Sequence, residues 1–97
     1  MEIQIVIRKE NRDTVASASA GILLEDLPRL AKMIATMEIV EPFGLTILNR
    51  RQRHVLMSEL AAAKTEEPRL QRVLDEITRL CLLAQDEPHL HLWFLGL

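Results

Sequence analysis

The densest chemistry-bearing cluster in this chain is Asn49-Arg50-Arg51-Gln52-Arg53-His54. Asn49 reads as a helix N-cap. That places Arg50, Arg51 and Arg53 in the first turn of a helix, where positive charge opposes the macrodipole at about 0.3–1 kcal/mol each. Acidic residues normally occupy that turn. Arginines in their place point to a compensating anion: a phosphate, a nucleic-acid backbone or an acidic protein surface. Arg50, Arg51, Arg53 and His54 are therefore the candidate partner- or anion-binding residues. A plainer reading leaves the same arginines in solvent or paired with Glu38, Glu41 or Glu59, the usual fate of a surface charge run. Asn49 and Gln52 are weak base-reading candidates, so a protein partner is favoured over DNA.

The second constellation closes the sequence. His89-Leu90-His91-Leu92-Trp93-Phe94-Leu95-Gly96-Leu97 alternates at period two and predicts a strand. Leu90, Leu92 and Phe94 share one face; His89, His91 and Trp93 share the other. Two imidazoles on one strand face suit a zinc site only with a third ligand. His54, Cys81, Asp86 and Glu87 are the candidates, and none stands at a diagnostic spacing, so no metal or other cofactor is expected. Tryptophan and histidine together fit a protein interface better. His89, His91 and Trp93 are the candidate interface residues.

Other reactive types point to structure. Cys81, the lone cysteine, falls on an apolar helix stripe and reads as a small core residue. Ser17, Ser19 and Ser58 have no histidine–aspartate pattern near them. Gly21, Gly44 and Gly96 are isolated, so there is no phosphate-cradling loop. Glu66/Glu67, Asp75/Glu76 and Asp86/Glu87 are sequence neighbours, which point apart on a helix. No catalytic residue is assigned, and the chain is expected not to be an enzyme.

The elements that must position these residues are legible in the pattern. The 97 residues are 48% hydrophobic, 27% charged and 3% aromatic, with net charge −2. Those are values of one globular domain, residues 1–97, with an aliphatic core and no bias toward nucleic acid. Ile3, Ile5 and Ile7 alternate with polar residues as a half-buried strand. A polar connector leads to a second strand over 14–20, with a helix start as its rival. Asp26 and Pro28 open a helix whose stripe is Leu27, Leu30, Ile34 and Met37, ending by Glu41 because Pro42 follows. Leu45–Leu48 is a short strand. A helix over 50–63 turns Val55, Leu56, Leu60 and Ala63 inward. Thr65 caps a last helix with stripe Leu70, Val73, Leu74, Ile77, Leu80, Cys81 and Ala84. Its outer face offers Arg72–Glu76 and Asp75–Arg79 as i,i+4 pairs.

The resulting order, β-β-α-β-α-α-β, predicts an α+β fold: about four strands in a mixed or antiparallel sheet, covered on one face by three helices. No apolar run reaches membrane-spanning length, and the lone cysteine fits a reducing, cytoplasmic setting. The favoured function is a protein–protein interaction module: an inhibitor, an immunity- or antitoxin-type protein, or an accessory subunit. A homodimer through an uncovered edge at the terminal strand is a variant of it. The alternatives are a nucleic-acid-binding regulator using Arg50–Arg53 and a small metal-dependent enzyme at His89/His91.

Overall fold

The isoleucine alternation becomes β1 (Glu2–Lys9), the strand around which a computed structural model of the protein, describing residues 2–96, is organised. Ile3, Ile5 and Ile7 are buried on one face, and Gln4, Val6 and Arg8 take the other. A tight connection follows, in which Arg12 adopts φ 74°, a left-handed conformation that costs a non-glycine residue strain. β2 (Thr14–Ser17) returns antiparallel to β1. The expected strand over 14–20 is thus shorter. The chain leaves β1 after Ala18, whose N–H donates to Ile5 O at 2.9 Å, and rejoins it as a two-residue strand, β3 (Ile22–Leu23), absent from the expected order.

The first helix is broken up. A 3-10 turn at Leu24–Asp26 leads into α1 (Leu27–Met33), and a second 3-10 turn spans Ala35–Ile39. The break is Ile34, whose φ −131° and ψ 102° are extended. The apolar stripe survives the break, because Leu30, Ile34 and Met37 are each at most 1% exposed. Asp26 stands at the N-cap but caps nothing. Its carboxylate instead accepts from Arg29 Nη2 at 2.7 Å and from Arg69 Nε and Nη2 at 3.0 and 2.8 Å.

β4 (Leu45–Leu48) runs into α2 (Arg50–Ala62) through the expected cap. Asn49 Oδ1 accepts from Gln52 N, and Gln52 Oε1 accepts from Asn49 N, each at 2.9 Å. That is a reciprocal capping box. Of the expected inward residues, Leu56 and Leu60 are buried, Ala63 is half-buried against the core, and Val55 is 53% exposed. Arg53 takes the place on the inward stripe.

α3 (Pro68–Leu83) starts with Glu67, not Thr65, at its N-cap; Thr65 Oγ1 instead accepts from Glu67 N at 3.2 Å. Its stripe from Leu70 to Ala84 is buried throughout. Neither i,i+4 pair forms. Glu76 pairs with Arg79 at i,i+3, and both reach back to β2 and its continuation: Ser19 N donates to Glu76, and Arg79 Nη2 donates to Ser17 O. Those bonds draw Glu76 away from Arg72 and Arg79 away from Asp75.

β5 (Leu90–Leu95) enters last and lies in the middle of the sheet, whose order is β2-β1-β5-β4 with β3 also on β1. Every pairing is antiparallel. The terminal strand is therefore not an edge, contrary to the homodimer variant raised above; β4 is. Leu97, the last residue of the expected strand, lies outside the described residues. Gly96 seals this arrangement. Its N–H donates to Gly44 O at 2.7 Å. A Cβ there would stand 2.6 Å from three carbonyl oxygens of the 41–44 turn, so only glycine fits.

Ile3, Ile5, Ile7, Leu48, Leu92 and Phe94 form one contiguous core with the stripes of the three helices. The fold is α+β with a one-sided antiparallel sheet. No helix among the described residues is long and apolar enough to cross a membrane.

Candidate functional site

The arginine cluster divides. Arg50 and Arg51 are exposed on the first turn of α2, and His54 is exposed on the second. Arg53 is 1% exposed and turns into the protein, which removes it from any anion-binding surface. Its guanidinium donates to Leu90 O, to Ala84 O at 2.9 Å and to Glu87 O at 3.1 Å. Those are the carbonyls of the turn from the end of α3 into β5; Ala84 O and Glu87 O also accept from Glu87 N and Leu90 N, so the guanidinium supplies them a second donor. A planar fork serving several acceptors suits arginine and not lysine. Burial pulls its pKa down, and the neighbouring Arg50 adds to that. The signal was present in the spacing, since Arg53, Leu56 and Leu60 recur at i, i+3 and i+7.

Cys81 packs beside this arginine. Burial raises its thiol pKa to about 11, with Arg53 opposing, so it stays protonated at neutral pH and is a poor nucleophile.

His89 and His91 have different surroundings. His89 precedes the strand, exposed, with Nδ1 3.3 Å from Glu10 Oε1. It borders a cleft of about 630 Å³ walled by Lys9, Glu10, Val15, Leu83 and Glu87 among others. His91 lies on the sheet, opposite Arg8. Among the described residues no three His, Cys, Asp or Glu side chains gather where a metal could sit.

Trp93 occupies a more informative position. It belongs to the sheet face opposite the helices, where antiparallel register sets side chains in rows. One row runs Ile47–Trp93–Val6–Ser17 from β4 to β2. A second runs Leu45–Leu95–Gln4, and a third His91–Arg8–Thr14. None of these side chains belongs to the helix-side core. Val6 and Trp93 are nevertheless 5% and 7% exposed, because they shelter among their row-mates. Arg8 helps to cover Trp93: its guanidinium carbon sits 5.0 Å from the ring centroid, within cation–π reach. Trp93 Nε1 has no hydrogen-bond partner, which is costly for a buried donor. Toward β4 the cover ends, and Leu45 and Ile47 are 51% and 43% exposed.

The result is an apolar band across a face without helices, rimmed by Arg8 and His91 on one side. Of the expected interface residues, the structure places His91 and Trp93 on this face and His89 beyond it. Leu45 and Ile47 were missed as surface residues. Their signal was an apolar residue at every position of Leu45–Leu48 save Thr46, which is one hydrophobic residue too many for a sheet covered on one side. Comparison with family models, with curated proteins and with solved structures finds no match to this chain, so the site stands on its own geometry.

Proposed function

We propose that this protein is a protein-binding module whose working surface is the helix-free face of its sheet. The observation that carries the reading is the row Ile47–Trp93–Val6: apolar side chains in register, sheltered at β1 and half exposed at β4. Apolar residues grouped on a surface mark contact sites, and an aromatic centre with an arginine beside it has the composition of interface hot spots. The reading is of a small inhibitor, an immunity- or antitoxin-type protein or an accessory subunit acting by contact in the cytoplasm, and not of an enzyme. A buried, protonated Cys81 is consistent with a reducing compartment.

The test is affinity capture from the native lysate with two baits, the wild-type chain and Ile47→Asp. Ile47 is half exposed, so the substitution leaves the helix-side core intact. A protein retained by the wild type and lost with Ile47→Asp supports the reading. No retained protein, or equal retention by both baits, overturns it.

A further inference from the structure

Among the described residues β4 and β2 are the two edge strands of the sheet, and the backbone edge of β4 is the less guarded. Gly96 N donates to Gly44 O in the register that sets Leu45 against Leu95 and Thr46 against Phe94. Bonded and non-bonded pairs alternate along an antiparallel ladder. Gly44, Thr46 and Leu48 therefore turn toward β5, and Leu45 and Ile47 turn their N–H and C=O groups outward. β4 pairs with β5 alone, so nothing among the described residues meets those groups. Natural proteins blunt a free edge with lysine, proline or a bulge. Leu45-Thr46-Ile47-Leu48 carries none of these. On the other side β2 is blunted: it joins β1 through a register shift at Ile7/Arg8, and its outward Ser17 O accepts from Arg79 Nη2 at 2.9 Å.

We propose that this edge pairs with β4 of a second copy of the chain, antiparallel, about a two-fold axis at Thr46. The inference rests on the reading of this face as a binding surface and names its occupant. In that register Leu45 of each copy faces Ile47 of the other. Both are outward-bonding residues, so each facing pair exchanges two hydrogen bonds. The two helix-free faces become one, and the exposed Leu45 and Ile47 side chains adjoin across the axis.

Charge sets the same direction. Glu41 lies just before β4, and Arg50 and Arg51 just after it. Antiparallel pairing brings the Glu41 end of each copy to the Arg50–Arg51 end of the other, twice. All three side chains are exposed, and none forms a salt bridge within the described residues. The second copy thus supplies the counter-charge that the first turn of α2 lacks. Two four-residue strands bury less than the roughly 1,200–2,000 Å² of a stable interface. The dimer is accordingly weak, with a Kd of about micromolar order.

Sedimentation equilibrium across a concentration series at low salt tests this. The wild type is expected to dimerise and to dissociate on dilution. Ile47→Pro removes an outward N–H and no ladder bond, so it should stay folded by circular dichroism and remain monomeric. Glu41→Arg and Arg51→Glu should each weaken the dimer about tenfold. An equimolar mixture of those two should associate more tightly than either alone, because both pairs of positions 41 and 51, which the Thr46 axis sets opposite each other, are then opposite in charge. A wild type that stays monomeric, an Ile47→Pro dimer of unchanged affinity, or a mixture no tighter than its components overturns the inference. A monomeric wild type that still captures a protein through Ile47 would assign the edge to a different chain's strand. The second copy is then excluded, and the binding reading stands.

Discussion

Arg8 lies over the indole of Trp93, 5.0 Å from guanidinium carbon to ring centroid, and holds a tryptophan nine-tenths buried on a sheet face that no helix covers. The relationship gives Trp93 two roles. Its area stabilises the sheet, and its row continues to Ile47 at the open edge. Trp93→Ala should cost about 3 kcal/mol, the low end for a buried aromatic, since part of its cover is a half-buried arginine and not the packed core. Trp93→Phe removes an orphaned donor along with ring area and should stay within about 1 kcal/mol of wild type. Urea denaturation of the three proteins measures both differences.

Arg53 is expected to dominate its cluster energetically. Arg53→Met removes one donor each from Ala84 O and Glu87 O, which keep backbone bonds from Glu87 N and Leu90 N, and strands Leu90 O, and should destabilise by about 2–3 kcal/mol. Arg53→Lys should recover less than half of that, because an ammonium cannot span the same acceptors. Arg51→Glu should instead be neutral or stabilising by up to about 0.5 kcal/mol, since acid in the first turn suits the dipole. Midpoints of urea unfolding separate the three outcomes.

The cradle around Gly96 predicts a steep dependence on one methyl group. Gly96→Ala sets a Cβ against backbone oxygens and should cost about 1–3 kcal/mol. Gly44→Ala meets nothing closer than Glu41 Cβ at 3.5 Å and should be tolerated. Thermal melts of the pair show the contrast.

Acid should loosen the contact between α3 and β2. Arg79, followed by the Ser19 bonds, lowers the Glu76 pKa from 4.5 to about 2. Burial raises the Asp26 pKa, but the guanidinium groups of Arg69 and Arg29 outweigh it and hold the carboxyl below its ordinary value. In both cases the unfolded chain binds protons more readily than the folded one. The stabilisation is complete above the unfolded pKa and is lost as pH falls through the folded pKa. Stability should therefore drop between about pH 4.5 and 2, and Glu76→Gln should flatten that slope. Urea midpoints against pH read it directly.

Much of the architecture was legible because burial is one-sided. The alternation of Ile3, Ile5 and Ile7, the Asn49 cap and the α3 stripe each follow from a single period. The two residues of β3 are too few to carry a period, and the extended Ile34 interrupts a helical stripe without disturbing its spacing. The site was less legible. Arg53 was read by its charge, when its position on the Leu56–Leu60 stripe decided its fate. Trp93 was assigned its correct face, but its neighbours come from β1 and β4, far away in sequence. That β4 and not β5 forms the edge depends on strand order, which no local pattern encodes.

The most direct test of the β4 edge as the contact between two copies is amide hydrogen exchange at Leu45 and Ile47, compared at low and high protein concentration. Thr46 and Leu48 bond to β5 and should be protected throughout. Leu45 and Ile47 should exchange freely in dilute protein and become protected as the concentration rises. Fast exchange of both amides at every concentration would contradict the account.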